Sequence, residues 1–97
     1  MHVYIYQAAL LCMGCGDAVI AKQLAEGKVQ DGDSDHCPQG PYGNGGGEAD
    51  CPQHCDKCRV FLKNPLTNDG MNYVREALDD NDGDAAVLAE WKEFYGL

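Results

Sequence analysis

The chain has 97 residues, 16 of them acidic and seven basic, and a formal net charge of −9. This charge opposes binding to a phosphate backbone, which depends on lysine and arginine, so we expect a basic protein surface rather than bare nucleic acid as the partner. The length predicts one domain over 1–97, and no apolar run approaches the 18 residues that a membrane span needs.

The N-terminal segment is rich in β-branched and aromatic residues, which predict one strand from His2 to about Leu11. A pair of cysteines separated by two residues follows, within Cys12–Gly16. Gly14 and Gly16 permit positive φ angles, so this segment is expected to form a tight turn that ends the strand.

Asp17 is a good N-cap for a short helix over 18–26. The next segment, 27–50, contains seven glycines and two prolines and is expected to be a long acidic surface loop within the domain. Loops of this length often have a function. Its acidic residues are Asp31, Asp33, Asp35, Glu48 and Asp50.

The C-terminal half begins with a second cysteine pair, after which Arg59–Lys63 resembles a strand that returns to the first. Thr67 can cap a helix over 68–79, and Asp84 can cap a last helix over 85–95 that Gly96 ends. The segment between these helices carries another group of acids: Asp79, Asp80, Asp82 and Asp84.

Two pairs of cysteines with two residues between them are the strongest signal in the chain. Each pair can hold half of a tetrahedral metal site, and two pairs supply the four thiolates of a structural zinc site. The predicted ligands are Cys12, Cys15, Cys55 and Cys58. The predicted fold class is therefore α+β, a small zinc-ribbon-like β-hairpin or sheet closed by a four-cysteine zinc site, with about three short helices.

The other cysteines and histidines leave alternatives open. Cys51-Pro52-Gln53-His54 has a similar spacing and overlaps the second pair, so Cys51 and His54 could replace Cys55 and Cys58 as ligands. A second zinc ion is the other alternative. Its candidate ligands are His36, Cys37, Cys51 and His54.

Six cysteines could instead form three disulfides in a secreted protein. The N-terminal residues lack the basic leader of a signal peptide, and their short apolar run leads directly into a cysteine pair. We therefore expect a reduced, cytoplasmic protein with metal-bound thiols.

Three catalytic or calcium-binding interpretations match only parts of the sequence. Strand, Cys-x-x-Cys and helix in succession are typical of thioredoxin-like enzymes, with Cys12 and Cys15 as the redox pair, but the Gly-rich segment that follows is unsuited to that fold. The spacing of Cys51, Cys55 and Cys58 matches iron–sulfur radical enzymes, whose barrel needs far more than 97 residues. The acidic runs do not match the EF-hand pattern, so they do not predict a calcium site. The chain offers no convincing catalytic group, and we therefore expect a non-enzymatic protein.

Four segments together resemble small uncharacterised zinc-ribbon-like proteins of bacteriophages and prophages. They are Ala9-Leu10-Leu11-Cys12-Met13-Gly14-Cys15, Pro38-Gln39-Gly40-Pro41-Tyr42, Gly45-Gly46-Gly47-Glu48-Ala49-Asp50, and the run from Cys58 to Thr67. The resemblance covers about residues 5–78. It implies a phage product that acts inside a bacterial cell, and it implies the four-cysteine site, because Cys37 has no cysteine counterpart in those proteins.

The first functional hypothesis is a non-enzymatic inhibitor or nucleic-acid mimic that binds a basic surface of a host protein through the two groups of acids named above, as an anti-CRISPR protein does. The second is a zinc-ribbon module that binds nucleic acid or the transcription machinery through Lys57, Arg59 and Lys63. The third is a thiol–disulfide oxidoreductase that uses Cys12 and Cys15. The oligomeric state is left open.

Overall fold

A computed structural model describes all 97 residues. The secondary-structure elements are, in chain order, β1 (Val3–Tyr6), β2 (Ala9–Cys12), α1 (Met13–Ala25), β3 (Gln39–Tyr42), a short 3₁₀ helix (Asn44–Gly46), α2 (Asn68–Asp80) and α3 (Ala85–Tyr95). The strands form one antiparallel sheet in the order β2-β1-β3. The predicted α+β class is confirmed. None of the helices combines the length and the apolar character that crossing a bilayer requires.

The predicted single strand at the N-terminus is wrong, because the chain reverses within it. Gln7 and Ala8 have φ angles of 51° and 59°, and β1 and β2 pair on either side of them. Two positive φ values give the turn whose twist matches that of a hairpin, although Asn-Gly is the usual sequence signal for it. The Gln7 N–H donates to the Ser34 carbonyl at 2.9 Å, which holds this turn against the segment after α1.

Helix α1 begins five residues earlier than predicted, at Met13, and the expected turn at Gly14 and Gly16 is helical instead. Its N-cap is Cys12, whose Sγ accepts from the Cys15 N–H at 3.5 Å. Asp17 does not cap the helix. Its carboxylate accepts a hydrogen bond of 2.6 Å from the Tyr4 hydroxyl, which ties α1 to β1. This bond raises the pKa of Tyr4.

The segment 27–50 is not the structureless loop that its composition predicts. Strand β3 lies within it and pairs with β1 through Val3 and Tyr42 and through Ile5 and Gln39. The 3₁₀ helix follows, and its buried Gly45 donates to the Met1 carbonyl at 2.7 Å. Pairing with a distant strand therefore overrides the weak local tendency of this sequence to form a strand.

Arg59–Lys63 does not form the predicted strand. Arg59 and Lys63 have φ angles of 68° and 53°, and only one bridge, between His54 and Phe61, forms here. Backbone bonds from Cys55 to Val60 and from Leu62 to Gln53, both 2.9 Å, close the segment into a compact turn instead.

The predicted helices α2 and α3 are confirmed, with bounds that differ by at most one residue. Thr67 caps α2 by accepting from the Gly70 N–H at 3.0 Å, and the Asp84 carboxylate caps α3. Asn81 and Gly96 end the helices in the left-handed conformation. These boundaries follow local capping rules, so the sequence alone could predict them.

Two apolar groups hold the chain together. Val3, Tyr4, Leu11, Cys55 and Leu62 form the buried core between the sheet, α1 and the second cysteine pair. Phe61 contacts Phe94 and Tyr95 edge-on, with ring centroids 5.5 and 5.8 Å apart, and thereby joins α3 to the rest of the chain. The molecule is elongated, with extents of 50 × 23 × 17 Å.

Asn64 supports the junction between these groups and is fully buried. Its Oδ1 accepts from the Gln53 N–H at 2.7 Å, and its Nδ2 donates to the carbonyls of Cys51 and Pro65. The Tyr95 hydroxyl donates to the Asn64 carbonyl at 2.6 Å. Burial, followed by the nearby thiol of Cys51, raises the pKa of Tyr95 to about 12, so this donor keeps its proton.

Candidate metal centre

The structure brings four cysteine sulfurs into one cluster. The Sγ atoms of Cys12, Cys15, Cys55 and Cys58 all lie within 4.8 Å of one another, and those of Cys12 and Cys58 are 3.7 Å apart. All six cysteines are free thiols. Sulfurs bound tetrahedrally to zinc at 2.3 Å are about 3.8 Å from one another. The cluster is therefore consistent with one metal ion, and its all-sulfur donor set is that of structural zinc sites.

The first pair is positioned by the junction of β2 and α1. Cys12 is the last residue of β2 and the N-cap of α1, and Cys15 lies in the first helical turn. Residues three apart lie on the same face of a helix, so both sulfurs point to one side of its N-terminus. Strand, N-cap and helix thus fix half of the cluster locally.

The second pair reaches the cluster through long-range contacts. The Asp56 N–H donates to the Leu10 carbonyl of β2 at 2.9 Å, and Arg59 N–H donates to the Cys55 carbonyl at 3.0 Å. Cys55 is fully buried in the core, whereas Cys58 is exposed. The cluster therefore lies at the edge of the apolar core, with one side open to solvent.

The thiols of the cluster differ in acidity because their surroundings differ. Burial alone would raise the pKa of Cys55, but the backbone N–H groups of Cys12, Cys58 and Lys57 outweigh it and lower this pKa to about 6. Hydrogen bonding with the Cys12 sulfur, together with burial, raises the pKa of Cys15 to about 12. The protein thus stabilises one thiolate unaided, and a bound cation would supply the charge that ionises the others.

Cys58 shows the same opposition of causes. The backbone N–H of Val60 lowers its pKa, but hydrogen bonding with Cys55 together with burial prevails, and the pKa is raised. A metal ion favours the deprotonated form of each ligand and would reverse this direction.

The structure places His54 and Cys51 outside the sulfur cluster. His54 Nδ1 lies 2.9 Å from the Arg59 carbonyl, to which it can only donate, and His54 Nε2 accepts from Trp91 Nε1 at 3.1 Å. Both ring nitrogens are engaged, so neither offers a lone pair to a metal. The Cys51 sulfur lies 3.4 Å from Gln53 Nε2. The contact of His54 with Trp91, 37 residues away, could not be predicted from the residues around His54.

Replacing His54 with alanine is expected to leave one metal ion per chain while loosening α3. The substitution removes the hydrogen bond to Trp91 and the ring contact with Phe61, whose centroid lies 5.4 Å away. The expected loss in free energy of unfolding is roughly 1–2 kcal/mol. Urea denaturation and elemental analysis of one sample measure both quantities, and loss of the metal would restore His54 as a candidate ligand.

Cys37 and His36 lie in a separate turn. Cys37 is buried, and its sulfur accepts from the Asp31 N–H at 3.3 Å and donates to the Asp31 carbonyl at 3.1 Å. His36 Nδ1 lies 3.6 and 3.5 Å from carboxylate oxygens of Asp31 and Asp33. No second group of three or more metal-binding side chains forms. Cys37 and Cys51 are therefore not brought together as a second zinc site.

Four of the nine predicted partner-binding acids have structural contacts. Asp31 and Asp33 each accept the N–H two residues on, and that bond lowers the pKa of Asp31. Asp50 accepts from the Thr67 hydroxyl, and Asp84 caps α3. The other five predicted acids have exposed carboxylates with no hydrogen bond or ion pair: Asp35, Glu48, Asp79, Asp80 and Asp82.

No protein-family model, curated protein or solved structure matches the chain. The resemblance to phage proteins therefore stays a prediction, and the geometry described above is what bears on function.

Proposed function

We propose that the chain is a zinc-stabilised, non-enzymatic protein that binds a basic surface of a host protein through the acidic end of α2. The observation that carries this proposal is the position of three acids, Asp79, Asp80 and Asp82. They lie in the last turn of α2 or just beyond it, and they are exposed. We name them the α2-end acids.

Helix stability does not account for the α2-end acids. The C-terminus of a helix carries partial negative charge, so a nearby carboxylate is unfavourable by about 0.3–1 kcal/mol. The last turn of α2 has no basic residue to offset this repulsion. In contrast, Asp84 caps α3 and Asp69 lies in the first turn of α2, where negative charge is favourable. Contact with a cationic partner would explain the position of the α2-end acids, which helix stability does not explain.

The proposed zinc has a structural role. Catalytic zinc sites keep one coordination position open for water or substrate, whereas four cysteine ligands fill a tetrahedral ion. The metal would connect the N-cap of α1 to the turn that begins at Cys55. That link closes a loop of about forty residues between the two pairs and offsets its entropy.

A cluster of carboxylates on a protein can occupy the cationic channel that nucleic acid otherwise fills. The resemblance to phage proteins supplies the setting for this part of the proposal, namely the cytoplasm of a bacterial host. Inhibition of a CRISPR nuclease is its concrete form. Electrostatic steering would make such binding fast and sensitive to salt.

Replacing all three α2-end acids with asparagine is expected to raise stability while weakening partner binding. Removing repulsion at the helix end should increase the free energy of unfolding by roughly 1–2 kcal/mol. Retention of nucleic-acid-binding proteins from a bacterial lysate, and its displacement by added DNA, should be lost in the same variant. Thermal denaturation and affinity capture over a range of salt concentrations measure the two effects.

A matched control changes the net charge equally at other exposed positions of the helices. Replacing Glu76, Glu90 and Glu93 with glutamine removes three negative charges but leaves the α2-end acids intact. This control should retain the captured proteins. Equal loss in the two triple variants would show that net charge alone governs capture, and the proposed surface would be abandoned.

A module that binds nucleic acid is the second candidate, and one observation favours it. Lys57, Arg59 and Lys63 are exposed around the second cysteine pair and form no ion pair. Retardation of bare duplex DNA in a gel at physiological salt would place this candidate first. The net charge of −9 weighs against that outcome.

The thiol–disulfide alternative rests on the position of Cys12 and Cys15 at the N-terminus of α1. The sulfurs of Cys55 and Cys58 lie against the same pair, which suits shared ligation better than attack on an external disulfide. Reduction of insulin by the chain, abolished by Cys15→Ser, would instead support an oxidoreductase.

A further inference from the structure

A cavity of about 470 Å³ lies between the β1–β2 hairpin, α1 and the turn after Cys55. We name it the lysine groove after Lys22, Lys28 and Lys57, which line it. The volume falls within the range of roughly 300–1,000 Å³ that is typical of small-molecule sites. None of its residues belongs to the α2-end acids, so this site is independent of the function proposed above.

The charge of the groove is opposite to that of the chain. It is lined by three of the seven basic residues but by only two of the 16 acids, Glu26 and Asp56. Lys28 is paired with Glu26 at 3.4 Å, whereas Lys22 and Lys57 form no ion pair. A cationic concavity in an otherwise anionic protein attracts anions locally.

The polar and apolar groups of the groove suit an amphipathic anion. The Tyr6 hydroxyl accepts from Gln23 Nε2 at 3.4 Å and has its own proton free to donate. Together with the ammonium groups of Lys22 and Lys57, it provides three donor groups without a protein acceptor. Leu11 and Val19 contribute apolar lining. Charge-assisted donors bind carboxylate and phosphate oxygens strongly.

We propose that the lysine groove binds a small organic anion, a carboxylate or a phosphate ester attached to an apolar body. The ammonium groups of Lys22 and Lys57 hold the anionic oxygens. The Tyr6 hydroxyl orients them, and the apolar lining covers the remainder of the ligand.

Charge balance at the metal centre could explain the position of Lys57 but does not explain that of Lys22. One zinc with four thiolates carries −2, and Lys57, between two of the cysteines, could offset it. Lys22 follows Cys15 by seven residues of helix, about 10 Å along the axis, where solvent ions largely screen exposed charges. Lys22 lies in the last turn of α1, where positive charge also stabilises the helix, and its ammonium group lines the groove without an ion pair.

Titration of the metal-loaded chain with four simple probes tests the proposal. Phenyl phosphate and benzoate have both the anion and the apolar body, inorganic phosphate lacks the body, and benzyl alcohol lacks the charge. Backbone amide shifts in NMR spectra should change around the groove with phenyl phosphate, benzoate or both. Which of these two binds more tightly distinguishes a phosphate ligand from a carboxylate ligand.

Variants locate the binding. Lys22→Gln and Lys57→Gln should each lower the affinity for the more tightly bound of phenyl phosphate and benzoate by about tenfold. Lys63→Gln and Lys92→Gln make the same charge change outside the groove and should leave the affinity unchanged.

Three results would overturn the proposal. The first is that inorganic phosphate or benzyl alcohol binds as tightly as the amphipathic anions. The second is that millimolar probe causes no change in the amide shifts around the groove. The third is that the two control variants lower the affinity as much as Lys22→Gln and Lys57→Gln do. None of these results bears on the α2-end acids, so failure here leaves the proposed partner-binding surface standing.

Discussion

Replacement of Cys55 by serine is expected to abolish metal binding and to unfold the protein. Cys55 has no exposed surface and packs with Val3, Tyr4, Leu11 and Leu62 in the core, so its sulfur serves both the cluster and the apolar interior. Serine offers a poor zinc ligand and places a hydroxyl among apolar side chains.

The expected loss in free energy of folding is as large as the total stability of a small domain. Structural zinc contributes on the order of 10 kcal/mol or more to the folding of small zinc-finger peptides. Small domains have a total stability of roughly 5–15 kcal/mol. Without the ion, the turn after Cys55 is held to the sheet only by the packing of Leu62 and by hydrogen bonds such as that between Asp56 and Leu10. We therefore expect an unfolded chain rather than a weakened one.

Cys51→Ser is the matched control, because Cys51 is only partly buried and lies outside the sulfur cluster. It should retain one zinc per chain and a dispersed amide spectrum, whereas Cys55→Ser should lose both. Elemental analysis and NMR measure the two properties on one sample. Zinc retained by Cys55→Ser and lost by Cys51→Ser would assign the second half-site to Cys51. A well-folded wild-type chain without metal would refute the metal centre.

Gly16→Ala is expected to destabilise the protein, although alanine normally stabilises a helix. A Cβ at Gly16 would lie 2.7 Å from Tyr4 Cγ and 2.8 Å from Tyr4 Cε2. The ring has little room to move, because Tyr4 is buried in the core and its hydroxyl is bonded to Asp17. Overpacking of this kind costs about 1–3 kcal/mol and outweighs the helix propensity gained.

Gly14→Ala, in the same helix, is expected to stabilise the protein. A Cβ at Gly14 meets nothing within 4 Å, so the substitution should increase the free energy of unfolding by about 0.5–1 kcal/mol. Urea denaturation of the two variants at equal zinc content compares them directly. Stabilisation by both substitutions would mean that Tyr4 does not pack against α1 as described.

The parts of the fold that the sequence could predict are those governed by neighbouring residues. Thr67 and Asp84 mark the starts of α2 and α3, and Asn81 and Gly96 end them, because capping depends only on local backbone geometry. The four clustered cysteines were also predictable, since Cys-x-x-Cys pairs carry their geometry in their spacing.

The parts that were missed depend on distant partners. The turn at Gln7 and Ala8 has no glycine or asparagine, and a contact with Ser34 helps to hold it. Strand β3 contains a proline and a glycine and exists because β1 lies beside it. The sequence predicts a turn at Gly16, whereas in the structure the absence of a side chain at Gly16 leaves room for the ring of Tyr4. Local propensity carries no information about such neighbours.

The division of the cluster between two distant chain segments has a consequence for biosynthesis. Cys12 and Cys15 belong to a unit of hairpin and helix that is complete by residue 25, whereas Cys55 is added 40 residues after Cys15. At roughly 5–20 residues per second, the ribosome leaves this interval open for several seconds. During that time the nascent chain offers only two of the four cluster sulfurs and no closed cage, so a metal ion would be captured late or handed over by a cellular donor.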